Sequence, residues 1–216
     1  MLSLAFSKKR GLKVLCLGAH CDDIEIGCGG TVLKLAEQYP EVEFYWVVFA
    51  STPERGQEAK ASAEKFLEKV AHKTIIIKNF RDGFLPYSGL EVKEYFEQLK
   101  KEFSPELIFT HYRNDLHQDH RLVNELTWNT FRDHLILEYE IPKWDGDMGQ
   151  TNVYVPVPAS VLERKIELLM AHFGSQRSKQ WFDRETFRGL ARLRGMECRA
   201  PEGYAEAFFG RKLSLG

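Results

Sequence analysis

The chain has 216 residues, of which 44% are hydrophobic and 28% are charged, and its formal net charge at pH 7 is -1. This length and composition are typical of a single soluble α/β domain with one sizeable core. The near-neutral charge gives no electrostatic reason to expect a nucleic-acid partner, so small molecules are the expected partners. No run approaches the roughly 18 apolar residues that span a bilayer.

The first ten residues contain an apolar stretch, residues 2–6, followed by Lys8, Lys9 and Arg10. A secretory signal peptide has its charges before a longer apolar region and ends at a small-residue cleavage site, and this segment has none of these features. We therefore expect a cytoplasmic protein. Three of the four cysteines lie within residues 16–28 and none forms a Cys-X-X-Cys pair, so we expect reduced thiols.

The first predicted strand leads into the most informative stretch of the sequence. Residues 13–19 are an apolar run, followed by His20, Asp22 and Asp23, and then by three glycines that precede a helix predicted over residues 31–39. Side chains just past the carboxyl end of a strand lie in the crevice where open α/β sheets bind ligands. Adjacent carboxylates beside an imidazole repel each other unless a positive charge lies among them, so this stretch predicts a divalent metal.

A second polar cluster follows another apolar run. Residues 111–120 lie between a strand predicted over residues 107–110 and a helix predicted over residues 121–131. Zinc in hydrolases is typically held by three protein ligands, with a fourth position open for water. His20 and Asp23, with one histidine of this second cluster, would complete such a set.

Together the two motifs resemble those of the PIG-L/LmbE family of metal-dependent N-acetyl-sugar deacetylases. The opening motif reads His-X-Asp-Asp followed by Gly-X-Gly-Gly, and the closing motif reads His-X-Asp-His. The resemblance covers most of the chain and implies a hydrolase that deacetylates an amino sugar or a nucleotide- or lipid-linked sugar conjugate. It implies Zn²⁺ as the cofactor, with another divalent metal such as Fe²⁺ as the alternative.

The resemblance also implies a role for each motif residue. Asp22 corresponds to the general base that takes a proton from the attacking water. His117 corresponds to the residue that polarises the substrate carbonyl and protonates the leaving amine, and Asp119 to the residue that orients it. Three residues correspond to the metal ligands, namely His20, Asp23 and His120.

One position departs from the family pattern, which usually has proline between the first histidine and the aspartate pair. Here that position is Cys21. A cysteine gives the loop less rigidity and places a thiol beside a ligand, where oxidation or stray metal binding is the expected risk. We retain His20 as a predicted ligand.

Two further charged residues follow predicted strands. Arg55 lies near the start of a helix predicted over residues 53–70, three residues before Glu58. The pair is either a surface ion pair or, by the resemblance, an Arg-X-X-Glu pattern whose arginine faces the substrate. Asp82 follows a strand predicted over residues 74–78. It is either a turn former or, by the resemblance, an acceptor for a substrate hydroxyl.

The remaining pattern alternates strands and amphipathic helices. Strands are predicted over residues 42–50, 135–139 and 153–157, and helices over residues 90–103 and 159–173. This spacing is typical of βαβ units, so we expect one Rossmann-like domain with a mostly parallel sheet and helices on both faces. Residues 142–149 are predicted to be a loop beside the pocket, and its Trp144 either anchors the loop or stacks on a sugar ring.

The last third of the chain is basic. It is either a solvated face or a receptor for phosphate or carboxylate on an anionic substrate such as a nucleotide sugar. The residues concerned are Arg177, Lys179, Arg184, Arg188, Arg192, Arg194 and Arg199.

A different class of function explains part of the pattern. A Rossmann protein that binds a nucleotide or S-adenosylmethionine would use the glycines of residues 27–30 as its ligand loop. That hypothesis leaves Asp22, Asp23 and residues 117–120 without a role, and we therefore favour the zinc hydrolase. The sequence is compatible with a homo-oligomer as well as with a monomer.

Overall fold

A computed structural model of the protein describes residues 6–7 and 11–214. The charged residues Lys8, Lys9 and Arg10, and most of the apolar stretch before them, lie outside the described residues. Within the described part, none of the helices combines the length and the apolar character needed to cross a membrane.

The described residues form alternating strands and helices. The strands are β1 (Lys13–Gly18), β2 (Glu43–Ala50), β3 (His72–Phe80), β4 (Leu107–His111), β5 (Leu135–Tyr139), β6 (Val153–Pro156) and β7 (Ala205–Gly210). The helices are α1 (Asp23–Gln38), α2 (Pro53–Phe66), α3 (Gly89–Glu102), α4 (Gln118–Thr130), α5 (Ala159–His172) and α6 (Arg184–Cys198). Short 3₁₀ turns lie at Leu85–Ser88 and Gly174–Gln176.

Among the described residues, one sheet of seven strands has the order β3-β2-β1-β4-β5-β7-β6. Strands β1 to β5 are parallel, whereas β7 is antiparallel to both β5 and β6. The strand order reverses between β1 and β4, so the loops that follow these two strands lie side by side at a crevice of the kind that binds ligands.

Helices cover both faces of the sheet, as strand β2 illustrates. Its Trp46 packs in the core shared with α1, α2, α5 and α6, while its Phe49 packs in the core shared with α3 and α4. Successive strand residues face opposite sides, and both sides are apolar because both are buried. The predicted Rossmann-like, mostly parallel sheet with helices on both faces is confirmed.

The glycines of the opening motif lie inside α1 and not before it, so the prediction of a helix start at residue 31 is wrong. A Cβ on Gly27 would lie 2.2 Å from Cδ2 of Tyr139, and one on Gly29 would lie 2.7 Å from Cε1 of Phe66. Glycine is required because it allows the helix to approach these rings closely. The rings fill the space that a nucleotide would need, which contradicts a ligand loop at these glycines.

A buried ion pair binds the backbone of α1. Lys165 donates to the carbonyl of Ile26 at 2.7 Å and to the Glu206 carboxylate at 2.6 Å. Glu206, on β7, accepts in turn from the backbone N–H groups of Gly30 and Thr31 at 2.8 and 2.6 Å. The first helix, which begins at the second aspartate of the pair, is thus fastened to the last strand.

Candidate active site

The loops after β1 and β4 bring the motif residues together. His20 and Asp22 lie between β1 and α1, and Asp23 is the first residue of α1. His117 is the N-cap of α4, with His120 in its first turn. All of these side chains are buried except that of His117, which is half-buried.

Nitrogen and oxygen atoms of the three predicted metal ligands converge. Nδ1 of His20 lies 3.1 Å from Nε2 of His120 and 3.3 Å from Oδ2 of Asp23. Nε2 of His120 lies 3.5 Å from Oδ1 of Asp23. Tetrahedral zinc with ligands at about 2.0–2.1 Å separates its ligand atoms by roughly 3.3 Å. The donor set therefore fits a zinc-sized divalent ion.

Two other histidines adjoin these atoms. Nε2 of His111 lies 3.2 Å from Oδ2 of Asp23, but it also accepts the backbone N–H of Ala19 at 2.9 Å. Nδ1 of His117 accepts the backbone N–H of Asp119 at 3.2 Å. One nitrogen lone pair of each ring is thus engaged, which favours His20 and His120 as the ligands. Both rings nevertheless lie close enough to the other side chains to belong to groups that could hold an ion, His117 with His20 and His120, and His111 with Asp23 and His120.

Asp115 contacts the ring nitrogen of His120 that is not the proposed metal ligand. Its Oδ2 lies 2.9 Å from Nδ1 of His120 and 3.1 Å from Nζ of Lys143. A carboxylate on the far nitrogen of a ligating histidine fixes the ring's tautomer and orientation. Sequence reasoning assigned no role to Asp115, Lys143 or His111. For His111 and Asp115 the available signal was their position in the polar run after β4. No local signal in the sequence indicated Lys143.

Asp119 lies behind His20, and the expectation that it orients His117 is wrong. Its carboxylate accepts the backbone N–H groups of Gly83 and Leu85 at 2.8 and 3.2 Å, and Oδ2 lies 3.3 Å from Nε2 of His20. Only the backbone of Asp119 contacts the His117 ring. Asp119 therefore supports His20 as Asp115 supports His120.

Arg55 joins the two remaining carboxylates of the site. It donates to Oδ1 of Asp22 at 2.9 Å and to Oδ2 of Asp82 at 3.1 Å. It is not paired with Glu58, which instead accepts hydrogen bonds from Ser175. The Asp82 side chain is 49% exposed and also contacts Nε2 of His20 at 3.2 Å. Among Arg55, Asp22 and Asp82, the side chain of Asp82 is the most exposed and therefore the most accessible to a ligand.

The charges of the site favour a cation at its centre. Burial lowers the pKa of His20, but Asp23, Asp119 and Asp82 outweigh burial and hold that pKa well above its usual value. Burial and then the neighbouring His111 lower the pKa of His120 to about 3. The carboxylates thus attract positive charge to a buried place lined by imidazole nitrogens. A divalent ion would satisfy them.

A comparison with known families covers the part of the chain that contains this donor set. The family model described as PIG-L: GlcNAc-PI de-N-acetylase matches residues 15–131, more than half of the chain. The chain belongs to the PIG-L family. The matched region contains the predicted ligands, the predicted base and both motifs.

Individual proteins are also similar to this chain. The chain is 28% identical over 177 residues to the uncharacterized deacetylase YaiS of Escherichia coli (strain K12), covering 77% of this chain and 92% of that protein. The N,N'-diacetylchitobiose deacetylase of Pyrococcus horikoshii has a TM-score of 0.70 at 23% identity, covering 94% of this chain and 85% of that one. GalB, a 4-carboxy-2-hydroxymuconate hydratase of Pseudomonas putida KT2440, has a TM-score of 0.70 at 15% identity, covering 95% and 98%. These structural likenesses show the fold.

In this PIG-L family member, Cys21 points away from the ligands. Its thiol donates to the backbone carbonyl of Ala50 at 3.5 Å. Burial raises its pKa to about 12. The thiol is therefore protonated and packed against β2, which removes the expected risk of stray metal binding at this position.

Proposed function

We propose that the protein is a metal-dependent N-deacetylase that acts on an acetylated amino sugar or sugar conjugate. The observation that carries the proposal is the convergence of His20, Asp23 and His120 within 3.1 to 3.5 Å. Membership of the PIG-L family and the similarity to YaiS support the deacetylase class. The fold alone does not decide the reaction, since GalB shares it.

A divalent ion, zinc by the donor set, would supply a polarised water and a Lewis acid for the acetyl carbonyl. Asp22 takes a proton from the attacking water. Burial raises the pKa of Asp22 and Arg55 opposes this effect, so the guanidinium favours the charged form that a base requires.

His117 acts on the substrate carbonyl. Burial and the charge of His20 lower its pKa, which favours the neutral ring. Because its Nδ1 accepts a hydrogen bond, the neutral ring carries its proton on Nε2 and donates from there to the developing oxyanion. Because the His117 ring is neutral, we assign protonation of the leaving amine to Asp22 and not, as expected from the sequence, to His117. Asp22 returns to the departing nitrogen the proton that it took from water. The products are acetate and a free amine.

Arg55 and Asp82 border the substrate in this proposal. The half-exposed Asp82 carboxylate accepts a sugar hydroxyl, while Arg55 fixes Asp82 and the base relative to each other. Expulsion of the amine occurs beside these two residues.

The test is a mass-spectrometric screen of acetylated sugars, free, nucleotide-linked and lipid-linked, with the zinc-loaded protein. We expect loss of one acetyl group from at least one class. Asp22→Asn should retain metal and lose activity by about 10² or more, whereas His120→Ala should lose metal and activity together. Full activity in the metal-stripped protein would overturn the proposal. Full metal occupancy in His120→Ala would show that His120 is not a ligand, and His117 would then be the ligand to test.

A further inference from the structure

Two backbone groups at the end of β4 are held by side chains of neighbouring elements. Asn124 of α4 donates from Nδ2 to the carbonyl of His111 at 2.6 Å. Glu138 of β5 accepts the backbone N–H of Arg113 at 2.9 Å. Both side chains are buried. The loop that leads from β4 to the proposed ligand His120 therefore begins from a fixed position.

Arg211, the residue after β7, joins these two side chains. Its Nε donates to Oε1 of Glu138 at 2.6 Å, and its Nη2 donates to Oδ1 of Asn124 at 3.1 Å. The guanidinium carbon lies 3.9 Å from the centroid of the Trp128 ring, whose Nε1 also donates to Glu138, at 2.7 Å. Because the amide oxygen of Asn124 accepts from Arg211, its amide nitrogen is directed to the His111 carbonyl.

The place of Asn124 on α4 relates this contact to the proposed metal ligands. Asn124 lies four residues after His120, so the two side chains lie on one face of the helix, one turn apart. The ring of His111, at the other end of the Asn124 contact, stacks on the ring of His120, with centroids 3.9 Å apart and an interplanar angle of 23°. The bond from Asn124 to His111 therefore fixes the spacing between the end of β4 and the turn of α4 that carries His120.

Arg211 has two separable effects in this network. The buried Glu138 carboxylate needs a cation beside it, and any positive side chain of similar length can supply that charge. The bridge from Glu138 to Asn124 needs more, because two acceptors are held in a fixed relation only by donors in a fixed geometry. The planar guanidinium has such a geometry, whereas a lysine ammonium acts as a point charge.

We propose that Asn124 and Arg211 are positioning residues for the metal site. Asn124 sets the spacing between His111 and His120, and Arg211 directs the Asn124 amide to β4. The inference rests on the proposed function for the identity of the ligands. Residues that support metal ligands act on the affinity for the ion and on its coordination geometry, and both properties can be measured without turnover.

The first experiment compares the wild type with Asn124→Leu and Asn129→Leu. Leucine keeps the branched shape of the asparagine side chain and removes its donor and its acceptor. Asn129 is an exposed residue of the same helix and provides the matched control. Zinc affinity is measured by competition with a chelator, and coordination geometry by the visible absorption spectrum of the Co²⁺-loaded protein. We expect Asn124→Leu to bind zinc about 10-fold or more weakly and to change the spectrum, and Asn129→Leu to match the wild type.

The second experiment separates positioning from stability with Arg211→Lys, which keeps the charge beside Glu138 and loses the fixed bridge to Asn124. We expect its metal-free form to unfold at nearly the denaturant concentration of the wild type, while its zinc affinity falls toward that of Asn124→Leu.

Wild-type zinc affinity and a wild-type Co²⁺ spectrum in Asn124→Leu and Arg211→Lys would overturn the inference and leave the proposed function standing. A loss confined to Asn124→Leu would overturn the role of Arg211. Weakened zinc binding in both variants, with no acetylated sugar hydrolysed by the wild type, would reject the proposed function and still support the inference. A wild type that binds no divalent ion would reject both.

Discussion

The Arg55 guanidinium donates to Asp22 at 2.9 Å and, through its other terminal nitrogen, to Asp82 at 3.1 Å. One side chain of α2 thereby fixes the loops that follow β1 and β3 relative to each other. It also places a permanent positive charge against a buried carboxylate whose pKa is raised by burial.

Replacing Arg55 with Met should shift the pH dependence of activity. A base works when it is ionised, and without Arg55 the pKa of Asp22 rises, so a higher pH is needed to ionise it. We expect the acidic limb of kcat/KM against pH to move upward and activity at pH 7 to fall by about 10-fold or more. Arg184→Met, which alters an exposed ion pair, is the control. An unmoved acidic limb in Arg55→Met would contradict this role.

His117→Ala should show whether His117 polarises the substrate carbonyl or binds the metal. The ring donates to the substrate oxygen but is not among the three proposed ligands, so metal content should stay at the wild-type level. Removal of one donor to an oxyanion costs about 10² to 10³ in kcat. Metal analysis and steady-state kinetics of the same preparation measure both quantities. Loss of metal from this variant would show that His117 is a ligand.

Lys143→Met should weaken metal binding without touching a ligand. Lys143 contacts the carboxylate that holds the far nitrogen of His120. Loss of such a supporting contact typically costs about 10-fold or more in metal affinity. Competition with a chelator measures the affinity, with Lys60→Met, at an exposed position of α2, as the control. Equal affinities in the two variants would mean that Asp115 positions His120 unaided.

Gly27→Ala should destabilise the fold. The new methyl group would lie 2.2 Å from the ring of Tyr139, which is fully buried and donates to the carbonyl of Leu17 at 2.6 Å. Overpacking of this kind costs about 1–3 kcal/mol in the free energy of unfolding. Gly89→Ala is the matched control, because nothing lies within 4 Å of its added Cβ and its backbone is already helical. Denaturant unfolding that ranks the two variants equally would refute the packing argument.

Most of the sheet was predictable because its strands are continuous apolar runs. Strand β5 has the predicted bounds, Leu135–Tyr139. Helix α6 was missed because its arginines conceal its buried face, where Phe187 and Ala191 pack. Arg194 is buried there too, since it pairs with Glu140 from another element. No local pattern predicts such a long-range partner.

The predicted ligands converge in the structure because strand ends concentrate polar side chains. Their supporting carboxylates were less predictable. Asp115 and Asp119 lie in one run with three histidines, and their spacing does not indicate which ring each one faces. That choice depends on the position at which α4 begins, Gln118, and on the loop at Gly83 that approaches from another strand.

The place of β7 has a consequence for biosynthesis. Because β7 pairs with β5 on one side and β6 on the other, neither can complete its pairing until Ala205–Gly210 has left the ribosome. Translation at about 5–20 residues per second exposes the aspartate loop many seconds earlier. Until Glu206 emerges, the Lys165 ammonium and the amides of Gly30 and Thr31 lack their partner. The nascent chain therefore exposes the aspartate loop early and fastens the helix that begins there late.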